Sequence, residues 1–166
     1  MYKVGDFVVK ANTGICMVED IVDRRISEES PLREYYVLSP LEDRRSKLFV
    51  PTNSEVSNIR TALDSESAMA LIKSIPEIAV HWIESDRMRE KEYKDVMRSN
   101  DPVALVSIIK NLYLRRRERI ERGKKVTAID DRYFKMAENT LYAELAHALG
   151  TDKDDVRRII SENVQD

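Results

Sequence analysis

Residues 99–123 read SNDPVALVSIIKNLYLRRRERIERG, and this stretch decides the fold class. Asp101 is a helix N-cap by type. Pro102 suits the first turn, where its missing N–H has no intrahelical partner, and Gly123 supplies the stop. Between them Leu105, Ile108, Ile109, Leu112 and Tyr113 recur at helical spacing. A long helix with one apolar face needs other elements to cover it. The flanking sequence reads as more helix. "DSESAMALIKS" (64–74) opens on Asp64 or Ser65 as a cap. Pro76 marks a start for "EIAVHWIE" (77–84), and Ser85-Asp86 caps a further helix or interrupts one. "TAIDDRYFKMAENTLYAELAHALG" (127–150) begins with a Thr-x-x-Asp cap and stops at Gly150, and "TDKDDVRRIISENV" (151–164) repeats that opening with Thr151 and Asp154.

Upstream the period changes. "VGDFVVKA" (4–11) alternates, and "TGICMVEDIVDRR" (13–25), "REYYVLSP" (33–40) and "SKLFVPT" (46–52) are short runs rich in Val, Ile, Tyr and Phe. Asn12-Thr13-Gly14, Ser30-Pro31, Pro40 and Pro51 bound them. Strands this short and close predict a small barrel or curled antiparallel sheet. The expected fold is α+β: a small N-terminal β-barrel over 1–60, then an all-α bundle of about five helices over 64–166. "NSEVSNIRTALDSES" (53–67) reads as the connector.

Chemistry is bounded by what the residues lack. His81 and His147 lie far apart, with no Cys or acid cluster at metal-ligand spacing. Four glycines form neither a P-loop nor a G-x-G-x-x-G, and there is no G-x-S-x-G elbow. Cys16 sits in an apolar strand pattern, as a buried inert thiol does. Asp130-Asp131 and Asp154-Asp155 fall near helix starts, where the helix dipole accounts for them. No enzyme, cofactor or small-molecule substrate is expected. A strand-like N-terminus, a single cysteine and no bilayer-length apolar run point to a cytoplasmic protein.

Binding remains. The chain carries a net charge of −2, but residues 87–125 hold thirteen Lys or Arg against six Asp or Glu. Five arginines fall within residues 115–122, more than compensation of one helix dipole requires. Arg87, Lys91, Lys94 and Arg98 recur at helical spacing, interrupted by acids able to pair with them. Trp82, the only tryptophan, sits where apolar sequence gives way to charged sequence. If 77–84 is helical, Ile78, Ala79, Trp82 and Ile83 share a stripe and the ring is core.

The elements "YKVGDFVVKANTG", "YYVLSPL", "LFVP", "SNDPVALVSIIKNLYLRRRER" and "TAIDDRYFKMAENTLYAELA", in this order, resemble the CarD/CdnL family of bacterial transcription regulators. The β half also resembles the RNA-polymerase-interacting domain of transcription-repair coupling factor. The resemblance implies a Tudor-like (SH3-like) module that grips the β subunit of RNA polymerase. It implies a helical domain that lies on promoter DNA at the upstream edge of the melted bubble. A tryptophan wedged in the minor groove stabilises the open complex there, so Trp82 would be a surface wedge. Arg24 falls at a polymerase-contacting arginine, with Arg25 beside it. Phe49 occupies the place of a second such arginine, leaving Lys47 or Arg45 to supply the charge. DNA-contacting basic residues map to Arg87, Arg89 and Lys91. A DNA-contacting lysine of the penultimate helix corresponds to Asp131, with Arg132 next to it. Trp82 stands nineteen residues before Asp101, about one helical turn more than in the family. Along a continuous helix that would shift the ring by about 5–6 Å on the same face. The rival expectation is a protein–protein adaptor that never touches DNA.

Overall fold

The computed structural model describes residues 1–53 and 58–164. The chain divides into two compact units, Met1–Ala62 and Leu63–Asp166.

In the first unit, strands β1 (Phe7–Lys10), β2 (Gly14–Arg24), β3 (Arg33–Pro40), β4 (Leu48–Pro51) and β5 (Ile59–Thr61) form one antiparallel sheet. Their order is β4-β3-β2-β1-β5. Pairing of Val8 with Cys16, Val18 with Leu38 and Tyr36 with Val50 puts these six side chains on one face, where they form the core. Strict alternation would send Ile21 to the opposite face from Val18. A bulge intervenes: Val18 pairs Leu38, and Asp20 pairs the next residue, Val37. The extra residue, Glu19, resets the alternation and lets Ile21 pack on the same core. The β1–β2 turn runs through left-handed backbone at Asn12 (φ 65°) and Gly14 (φ 101°), residue types that tolerate it. Cys16 is fully buried, and burial pushes its thiol up to about 11 against a small opposing pull from Lys10.

One strand lies within the stretch expected to be a connector. Residues Ile59–Thr61 pair with β1 as β5. Only Ile59 is a strongly apolar member, so no alternation signals it. Residues 54–57 of the same stretch lie outside the described residues.

The second unit contains α1 (Ser65–Ser74), α2 (Arg89–Ser99), α3 (Pro102–Glu121), α4 (Ala128–Leu149) and α5 (Lys153–Asn163). Asp64, Asp101 and Thr127 cap α1, α3 and α4 by accepting from the amides of Ser67, Val103 and Asp130. For α5 the cap is Asp152, one residue past Thr151. Leu105, Ile108 and Leu112 of α3 enter the core with Leu141, Leu145 and Val156. The α3 stripe is rotated from expectation: Val106 is buried and Tyr113 is half exposed.

The expected helix "EIAVHWIE" does not form. A 3-10 turn covers Ile75–Glu77, Ile78 is extended (φ −70°, ψ 126°), and residues 78–85 carry no regular structure before a second 3-10 turn at Asp86–Met88. Three carbonyls of this segment, those of Ile78, Ala79 and His81, accept from side chains of α3, which supply donors that a helical ladder would otherwise provide.

Candidate functional site

Trp82 projects from the irregular segment with 70% of its surface exposed, while the next residue, Ile83, is 8% exposed. In this stretch of irregular backbone one residue anchors in the core while its neighbour faces solvent. The core reading of Trp82 needed a helical stripe, and that stripe is absent. So is the continuous helix assumed in carrying the ring one turn along: extended backbone, a 3-10 turn, α2 and a left-handed Asn100 (φ 56°) separate Trp82 from Asp101. In the preceding residue, the imidazole Nε2 of His81 lies 2.6 Å from Glu92 Oε2.

The expected DNA-contacting cations fare differently from one another. Arg87 is exposed and has no ion-pair partner among the described residues. Lys91 is exposed and holds Asp95 at 3.0 Å; with His81 and Met88 it lines one shallow groove, which puts it beside the Trp82 segment. Arg132 reaches from α4 to Glu90 at the start of α2 (3.3 Å) and lies 4.9 Å over the Tyr133 ring. Arg89 is not available in this way. Its side chain is 12% exposed and donates to Asp86 Oδ1 (3.0 Å), Tyr93 Oη (2.8 Å) and Asn111 Oδ1 (3.3 Å). It belongs to the interior because it bridges α2 and α3.

The arginine run of α3 is also mostly committed. Of the thirteen basic residues in 87–125, eight have an acid within 4.0 Å: Arg89, Lys91, Lys94, Arg98, Arg115, Arg116, Arg117 and Arg122. Arg119 donates to the Lys125 carbonyl instead, at 2.9 Å. Glu90, Asp95, Glu118 and Glu121 of the block are among these partners, together with Asp86, Asp130 and Asp131 outside it.

Sequence reasoning missed a buried polar network. Asp130, 5% exposed, accepts from Tyr93 Oη (2.7 Å) and Arg115 Nε (2.6 Å). Burial alone would raise its carboxyl; the bonds from Arg115, Tyr93 and Thr127 outweigh it and hold the group below the usual carboxylate value. Tyr93 is pushed up to about 12, chiefly by burial and then by the carboxylate it faces. Asn111, 1% exposed, joins this network to the Trp82 segment by accepting from Arg89 and donating to the His81 carbonyl. The available signal was Asn111 itself: an amide between Ile108 and Leu112 on a core-facing stripe must have buried partners.

In the first unit, the Arg24 guanidinium lies 4.2 Å over the Phe49 ring. The register explains the meeting. Asp20 and Phe49 both pair with Val37, and Arg24 lies four residues after Asp20, so Arg24 and Phe49 share a face. Phe49 is 44% exposed on edge strand β4. Lys47 forms an ion pair with Glu19, the bulge residue. Arg25 is exposed just past β2. Arg24 on β2 and Phe49 on β4 thus lie on strands that flank β3, with Lys47 just before β4.

Among the described residues, no cluster of His, Cys, Asp and Glu is arranged to hold a metal ion, and no helix is long and apolar enough to cross a membrane. Residues 2–62 match the CarD-like/TRCF RID domain, and residues 82–161 match the CarD C-terminal domain. Trp82 is the first residue of the second match. No curated protein matches the chain.

Proposed function

The chain belongs to the CarD family, non-catalytic transcription factors that interact with RNA polymerase, and from that premise we propose that it stabilises the open promoter complex. The first unit binds the polymerase β subunit through Arg24, Arg25, Lys47 and Phe49. The second lies on promoter DNA at the upstream edge of the bubble, where Trp82 enters the minor groove. The observation that carries this reading is the exposed Trp82 ring, on a segment whose His81 shares a groove with Lys91 and which Arg87 follows in sequence. A single exposed apolar side chain is ordinary on a protein surface, but an indole placed there is available to a partner. Filling a distorted minor groove offsets unstacking costs of about a few kcal/mol per step. Arg87, Lys91 and Arg132 contribute phosphate contacts that position the protein without reading sequence.

The test is Trp82→Ala in a promoter-opening assay with RNA polymerase. Because the ring is outside the core, the variant keeps its melting temperature and its affinity for polymerase, and the open-complex fraction falls. Unchanged opening refutes the wedge. A salt titration of the assembled complex addresses the adaptor alternative: the three phosphate contacts of Arg87, Lys91 and Arg132 give a log–log slope of roughly −3. An adaptor that does not touch DNA lacks that dependence.

A further inference from the structure

Four carbonyls around the Trp82 segment are held by one row of side chains. Ser107 Oγ donates to the Ala79 carbonyl at 2.6 Å. Lys110 Nζ donates to the carbonyls of Ile75 (2.7 Å) and Ile78 (2.6 Å), and Asn111 Nδ2 to that of His81 (2.8 Å). The His81 amide returns a bond to the Ser107 carbonyl at 3.3 Å. Residues 107, 110 and 111 are three and four apart, so they form one face of α3. Non-helical backbone away from a sheet has no ladder of its own, and here α3 supplies the missing donors at helical spacing.

We infer that Ser107, Lys110 and Asn111 are positioning residues for Trp82. They hold residues 75–83 as a preformed strap, so the indole is presented in place before any partner arrives. Asn111 extends the restraint inward, because Arg89 donates to its Oδ1 at 3.3 Å and connects it to Tyr93 and Asp130. A strap fixed beforehand spares the ordering cost that a mobile loop would meet on binding. The inference rests on the DNA-facing reading of Trp82 and adds the means by which the ring is aimed.

The single tryptophan makes the test direct, since its fluorescence reports one site. The variant is Ser107→Ala with Lys110→Met in the full chain; Met keeps most of the apolar stem and removes the donor. The expected result is a larger nanosecond amplitude in the Trp82 anisotropy decay. Amide exchange at His81 should accelerate about fivefold per lost bond. Open-complex lifetime should shorten, with no further shortening when the same changes are made in Trp82→Ala. Lys110→Arg, which retains a donor, should restore the anisotropy. Unchanged anisotropy and exchange overturn the inference, as does a lifetime loss that persists without Trp82. If the variant fails to fold, wild-type exchange decides: a His81 amide exchanging as fast as an unstructured peptide overturns the strap. If Trp82→Ala alone leaves the lifetime intact, the DNA-facing reading falls, while a loosened ring still supports the strap.

Discussion

Replacing Asp130 with Asn tests whether the buried network holds the helical unit together. The side chain keeps its shape and loses its charge. Asp130 is 5% exposed, and the Arg115 side chain facing it at 2.6 Å is 19% exposed, so solvent screens the pair little. Removing one partner of a buried pair costs about 3–5 kcal/mol. Arg115 also has Asp86 at 3.4 Å, and the new amide can still bond Tyr93, so the expected loss is reduced to about 2–3 kcal/mol. Urea denaturation at pH 7 measures it. The pH dependence adds a second check. The folded Asp130 carboxyl titrates below its ordinary value of 3.8. Its stabilisation is therefore fully present above that value and is lost as pH falls through the lower, folded one. The gap between wild type and Asp130→Asn should be constant from pH 5 to pH 7 and shrink in more acidic solution. A loss under about 0.5 kcal/mol, the scale of an exposed pair, would refute the reasoning.

Two further outcomes follow from the same geometry. Arg24→Glu and Phe49→Ala should each weaken polymerase binding while moving the melting temperature little, because the cation–π contact at an exposed site contributes only about 0.5–1 kcal/mol; equal binding by both variants would remove this surface as the contact. Tyr93 and Tyr142 are both pushed up to about 12 by burial, so their contribution to stability is complete below the ordinary value of 10.0 and is lost as pH rises towards 12. A stability curve that is flat from pH 9.5 to pH 12 would contradict it.

The strands of the first unit were readable because each carries its own alternation and its own turn, and the helix caps at Asp64, Asp101 and Thr127 because one side chain suffices to make each. What escaped depends on distant partners. β5 exists because β1 offers an open edge, which no residue within Ile59–Thr61 announces. The 77–84 segment has helical spacing of apolar residues, yet donors from α3, about thirty residues later, hold it irregular. Arg89 and Arg87 look alike in sequence. They differ in that one points toward Tyr93 and Asn111 and the other toward solvent, a choice set by where α2 begins. Exposure of Trp82 follows from the same misread segment, since without the expected helix the indole does not share a buried stripe with Ile83, which turns inward.

A basic run is a statement about composition, and a basic field is a statement about pairing. Eight of the thirteen cations in residues 87–125 have an acid beside them, so the potential offered to DNA is much weaker than the local balance of +7 implies. Free helical unit should bind DNA no better than ordinary sequence-independent contacts do, with Kd on the order of 10⁻⁴ M or weaker at physiological salt. Such affinity is useless in solution and sufficient once a second contact holds the protein near its site, because a short tether supplies an effective concentration of about millimolar. Tight DNA binding would in fact harm a regulator of this kind, since it would spread the protein over the genome. On the proposed function, the paired arginines fit a division of labour in which the β unit provides the address and the helical unit adds a weak, local grip. Direct DNA binding by the isolated full chain at submicromolar Kd would break that logic even if every residue assigned to the DNA surface proved correct.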